Sequence, residues 1–87
     1  MDFLEKELEM RGMKRREIVN YFSTLTGKVI GDDLFVGKGW EVYISQEKLL
    51  AIGSLNIPST IVKFRCTKGI MDKMIGDFRL KFLTAGG

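Results

Sequence analysis

The chain has 87 residues, 45% hydrophobic and 29% charged, with a formal net charge of +3. That balance is globular, the length suits one compact domain, and so small a basic excess does not identify a nucleic-acid binder. Histidine is absent and cysteine occurs once. This excludes His-based metal sites, Ser–His and Cys–His nucleophile pairs, internal disulfides and multi-cysteine zinc sites.

Residues 1–7 alternate charged and apolar side chains, unlike a signal peptide with its basic start and uncharged apolar run. No stretch approaches the ~18 apolar residues of a spanning helix. A lone thiol suits a reducing compartment, so a soluble cytoplasmic protein without membrane association is expected.

Residues 2–10 read as a short acidic amphipathic helical segment with Leu4 and Leu8 one turn apart, and Gly12 marks a bend. Residues 13–25 form the clearest helix, with Ile18, Tyr21, Phe22 and Leu25 on one stripe, ended by Thr26-Gly27. The period then changes to two. Leu34-Phe35-Val36 reads as a strand, Gly37-Lys38-Gly39 as a turn, and residues 40–45 as the returning strand. In it Trp40, Val42 and Ile44 share the core face, leaving Glu41 and Tyr43 on the other. Gln46-Glu47 turns the chain into a third strand over residues 48–56, and Pro58 breaks the ladder because it lacks an N–H. Residues 60–66 form a fourth strand, with Val62, Phe64 and Cys66 inward and Ile61, Lys63 and Arg65 outward. Short connections require antiparallel neighbours. From Lys68 the helical period returns, with Ile70, Met71, Met74, Ile75, Phe78 and Phe82 on one broad face. The expected architecture is a two-layer α+β domain, a four-stranded antiparallel sheet covered on one face by N- and C-terminal helices.

Chemistry-bearing residues are few. Asp32-Asp33 fits a turn better than a magnesium site, and Gly37-Lys38-Gly39 a hairpin turn better than a phosphate cradle. Cys66 reads as a small core residue. No catalytic pair, metal site or cofactor is expected, and the chain reads as a non-enzyme. Arg11, Lys14 and Arg15 fall on one helix side as a solvated basic face. Residues 48–87 carry seven cations against Asp72 and Asp77, a net +5, whereas residues 1–47 carry −2. The asymmetry suits an anionic partner: an acidic protein, a phosphate-bearing ligand or RNA. Tyr43 beside Lys63 and Arg65 is the one base-stacking candidate. Gly86-Gly87 could thread a narrow channel and present a carboxylate for adenylation and sulfur transfer, as in ubiquitin-like sulfur carriers. Those are β-grasp domains whose tail follows a strand, and here the tail follows a helix.

Gly53-Ser54-Leu55-Asn56-Ile57-Pro58, the alternating Val62-Lys63-Phe64 and the closing Arg79-Leu80-Lys81-Phe82 with its glycine tail resemble one known family over residues 16–87. It is the C-terminal domain of MoaD-related proteins, a domain of unknown function that follows a sulfur carrier of the molybdopterin pathway. The resemblance implies a fold similar to the TATA-binding-protein-like class and an association with molybdenum or tungsten cofactor biosynthesis; it brings no catalytic residues. The chain departs from the fused arrangement by lacking the carrier domain. Gly53 reads either as a strand bulge or as a point where a partner peptide approaches the backbone. The leading expectation is a non-catalytic accessory domain docking a sulfur carrier or molybdopterin synthase component through Gly53, Tyr43, Lys63, Arg65, Gly86 and Gly87. An RNA- or nucleotide-binding module on the basic sheet face is the alternative, and a stand-alone carrier using Gly86-Gly87 the third.

Overall fold

In a computed structural model of the chain, residues 3–25, 28–31 and 33–82 are described, Lys28 by its backbone alone. The elements run β1 (Phe3–Arg11), α1 (Arg15–Leu25), β2 (Lys28–Ile30), β3 (Leu34–Gly37), β4 (Trp40–Ile44), β5 (Lys48–Ile52), β6 (Leu55–Thr67) and α2 (Lys68–Phe82). The α+β class, the antiparallel sheet and the helical cover on one face are as expected. Among the described residues the sheet has six strands instead of four, ordered β1-β6-β4-β3-β2, with β5 also paired to β6.

Three corrections follow from that sheet. Residues 3–11 are a strand, not a helix: β1 pairs with β6 from Phe3↔Thr67 to Arg11↔Ser59. Leu4 and Leu8 stand four apart, which satisfies a helix turn and equally a period of two. Pairing with a strand some sixty residues away decides between them. Pro58 lies inside β6 without ending it. Its carbonyl accepts from the Gly12 N–H at 2.9 Å. The N–H and C=O of one strand residue point to the same side, so the donor that proline lacks faces the end of β1 and β5 loses nothing. Finally, residues 48–56 are not one strand. Gly53 and Ser54 form a two-residue turn closing Ile52 against Leu55. Gly53 has φ 61°, so it is a turn residue and not a bulge. That conformation at the first turn position belongs to hairpins with glycine there.

The true bulge lies between β4 and β5, which occupy the same side of β6 end to end. Ile44 pairs with Val62 and Lys48 with Ser59, so three residues oppose two. Ser45 holds the irregular stretch: its N–H donates to the Ile61 carbonyl and its hydroxyl accepts from the Ile61 N–H, each at 2.9 Å. Arg15 fastens α1 there, with its N–H on the Glu47 carboxylate at 2.7 Å and its Nε on the Ser45 carbonyl at 2.8 Å. The basic residues 11, 14 and 15 therefore do not share a helix face: Arg11 ends β1, Lys14 precedes α1, and Arg15 is committed to the bulge.

The core lies between the even-numbered face of β6 and the two helices. Phe22 of α1 sits at its centre, with ring centroids 5.8 Å from Phe64, 5.6 Å from Phe78 and 6.2 Å from Phe35. Val42, Ile44, Val62, Cys66, Met71 and Ile75 complete it. Gly37 is required locally, because a Cβ there would lie 2.2 Å from the Trp40 ring. At ~3.3 Å per residue the 13 residues of β6 span about 43 Å, close to the longest molecular dimension of 46 Å. No helix among the described residues is long and apolar enough to cross a membrane.

Candidate functional site

The sheet face opposite the helices carries the outward side chains of β1, β6, β4 and β3. Tyr43, Lys63 and Arg65 meet there as the alternation of β4 and β6 requires, with Tyr43 directly opposite Lys63. Together with Glu5, Leu34 and Glu41 they line a shallow depression of about 170 Å³. β1 supplies what the sequence reading omitted. A helix over residues 2–10 would keep its glutamates off the sheet, whereas the register of β1 places Glu5 beside Arg65 and Glu7 beside Lys63.

Each cation of this face consequently has an acidic neighbour. Lys63 Nζ lies 3.6 Å from Glu7, and Arg65 lies 3.9 Å from Glu5 and 3.5 Å from Glu41. The Arg65 guanidinium also stands over the Phe3 ring, 5.3 Å from its centroid. Glu5, Glu7, Glu9 and Glu41 balance Arg11, Lys63 and Arg65, so the face is no basic platform for a polyanion. At the β1 end Glu9 accepts from the Ser59 hydroxyl at 2.8 Å and pairs with Arg11 at 3.2 Å. These contacts, Arg11 first and Ser59 next, hold its carboxyl below the usual value.

The basic excess lies on the helical layer. Arg15, Arg16, Lys68, Lys73, Arg79 and Lys81 stand there against Glu17, Asp72 and Asp77. All but Arg15 of these cations are exposed. Between the helices a groove of about 500 Å³ is lined by Glu17, Asn20, Tyr21, Thr24, Lys81 and Phe82. Arg79 and Lys81 occupy the last turn of α2, where cations suit the helix dipole.

The remaining sequence candidates scatter. Gly53 sits at the tip of the β5–β6 hairpin with open space around it, well away from the shared face of Tyr43, Lys63 and Arg65. Gly86 and Gly87 lie outside the described residues, as do Asp32 and Thr26-Gly27. Cys66 is fully buried with its sulfur 3.7 Å from that of Met74, and burial pushes its thiol up. A buried thiol so shifted is a packing residue and a poor nucleophile. Among the described residues no cluster of three or more His, Cys, Asp and Glu could hold a metal ion.

The feature least visible in the sequence is the hairpin itself. β1 flanks β6 only as far as Ser59, so Leu49 to Pro58 project as a two-stranded arm. Leu49 is 68% exposed and Leu55 63%. The Gly-Ser pair between apolar runs was the available signal, being a two-residue hairpin turn sequence.

No curated protein matches the chain. The family model of archaeal MoaD-like proteins matches residues 6–87, from β1 through the terminal glycines. The chain therefore belongs to the archaeal MoaD-like protein family.

Proposed function

We propose that the chain is a non-catalytic interaction domain of molybdopterin cofactor assembly. It docks an acidic protein of that pathway, a sulfur carrier or a molybdopterin synthase component, on the outer face of its helices. The observation that carries this reading is the position of the charge: exposed Arg16, Lys68, Arg79 and Lys81 lie on the helical layer beside the Lys73–Asp77 pair at 3.1 Å, while Lys63 and Arg65 are matched by glutamates. A complementary acidic surface is steered toward such a layer, and the rate of association falls as salt rises.

The test is a titration of the purified domain against the carrier and the synthase components at low and high salt. Arg79→Glu with Lys81→Glu weakens binding about tenfold or more at low salt, corresponding to about 1.4 kcal/mol. Lys63→Glu on the opposite face changes it less than about twofold. Equal losses from both faces, or no binding to either protein at tens of micromolar, refute the proposal.

A second reading draws on the family match extending through Gly86 and Gly87. A stand-alone sulfur carrier would accept sulfur as a thiocarboxylate on Gly87, seen as a mass increase after incubation with an activating enzyme, ATP and a sulfur donor. The RNA alternative loses its main support with the neutralised sheet face. The TATA-binding-protein-like class implied by the resemblance belongs with this proposal.

A further inference from the structure

The β5–β6 arm combines features that natural sheets avoid. Among the described residues its outer strand, Lys48–Ile52, pairs with β6 on one side only. From Leu49 to Val62 the chain carries no charged side chain. Leu49, Ile52 and Leu55 are all exposed, and the arm's extensive contacts are confined to β6 itself. Free edges are normally blunted by charge, proline or cover. On β5 only Lys48, at its start, does this.

We infer that the free edge of β5 pairs antiparallel with β5 of a second copy of this chain, forming a two-fold dimer centred on Leu50. Backbone direction fixes this register. Pro58 points its carbonyl toward Gly12, so Leu49, its partner in β5, directs its own N–H and C=O away from β6. The alternation makes Leu49 and Ala51 the outward-facing residues of the strand, while Leu50 and Ile52 bond inward to β6. With the two-fold axis at Leu50, Leu49 of each chain exchanges both backbone hydrogen bonds with Ala51 of the other. Leu50 then meets its own copy across a non-hydrogen-bonded pair.

Charge argues for a second copy as the occupant. The pairing sets Lys48 opposite Ile52 of the other chain, so the strand's single charge meets no like charge. An acidic partner finds little here to match, whereas a copy of the chain brings an equally neutral, equally unpaired edge. Two-fold pairs of this isologous kind are the commonest closed assemblies. A lone two-stranded hairpin is marginal in water, and continuing the sheet through a second molecule turns it into part of a four-stranded one. The arms join without covering the helices, so the dimer presents two copies of the helical layer.

The closing experiment is sedimentation velocity on the full chain across a concentration series, beside two variants. Wild type is expected to shift with concentration toward twice its 9.9 kDa mass. Ala51→Pro removes one outward N–H without touching the bonds to β6, and is expected to remain monomeric with an unchanged circular dichroism spectrum. Leu50→Cys is expected to give a disulfide-linked dimer on mild oxidation, because a non-hydrogen-bonded pair brings Cα atoms to ~4.5 Å. Leu55→Cys, on the inner strand, is expected not to crosslink. A wild type that stays monomeric at hundreds of micromolar overturns the inference. So does a dimer that survives Ala51→Pro while Leu50→Cys fails to crosslink, or an arm whose loss abolishes binding of a pathway protein to a monomeric chain. Binding through the helices is read separately, by the charge-reversal titration.

Discussion

The two portions of β6 place one continuous strand in opposite environments. From Ser59 to Thr67 it is flanked by β1 on one side and by β4 and the bulge on the other, with its even side chains under both helices. From Leu55 to Pro58 its strand partner is β5 alone, with the Gly12 N–H reaching the Pro58 carbonyl on the other edge. Val62, Phe64 and Cys66 are fully buried, whereas Leu55 is 63% exposed. The projecting end is uncharged and the buried body carries Lys63 and Arg65, so composition does not explain the contrast. The length of the neighbouring strand does: β1 stops at Arg11, and beyond it burial falls away along β6, from half-buried Pro58 and Ile57 to exposed Leu55. The body of the strand carries stability, and the projecting end is available for recognition.

Truncation sharpens the contrast most. Phe64→Ala removes a ring packed 5.8 Å from Phe22 and 5.4 Å from Phe78, and is expected to cost about 3–5 kcal/mol. Leu55→Ala is expected to change monomer stability by less than about 0.5 kcal/mol. Urea denaturation at low protein concentration, where the arms are not engaged, measures both. Similar costs at the two positions would mean that the arm is packed against the body.

How far the sequence disclosed this architecture follows the reach of the contacts. Phe22, Ile75 and Phe78 belong to helical stripes set within a few residues, and those stripes point to the core as expected. Val42 and Ile44, and Val62 and Phe64, were legible by alternation. What failed was decided at long range. The apolar even positions of β1 also satisfy a helical spacing, and only β6 settles which period is used. The three-residue β2 is too short to show a pattern. The site inherited the first error. Lys63 and Arg65 look like an anion-binding pair while β1 is set aside as a helix; with it in register, Glu5 and Glu7 stand beside them. The expected site thus had the right side chains on the right face and the wrong net charge.

A charge exchange across β1 and β6 tests that register directly. Lys63→Glu places a carboxylate beside Glu7 and is expected to destabilise the fold by about 0.2–1 kcal/mol, the range for cross-strand charge pairs. Glu7→Lys alone sets two lysines together, with a similar expected cost. The double exchange restores an opposite pair and recovers most of the loss, and thermal denaturation at low salt reads the coupling. Additive losses in the double variant would remove Glu7 from Lys63 and with it the register of β1. At high salt the coupling shrinks, because both side chains are substantially exposed.

The smallest effect lies where the body of the sheet gives way to the arm. Glu9 is held below its ordinary value first by Arg11 and then by the Ser59 hydroxyl. A carboxylate whose pKa is lower folded than unfolded stabilises the fold above the unfolded value, and this contribution fades as pH falls through the folded one. The dependence is therefore confined to acid, below the ordinary carboxylate range of about 4.3, and neutral pH is unaffected. Ser59→Ala removes one of the two bonds and leaves Arg11 in place. Its expected result is a rise in the Glu9 titration midpoint toward the ordinary value, followed by carboxyl NMR shifts in a pH series. Arg11→Ala, removing the larger cause, raises the midpoint further. An unchanged midpoint in both variants would mean that Glu9 is free in solution and that the Ser59 contact does not mark the boundary between body and arm.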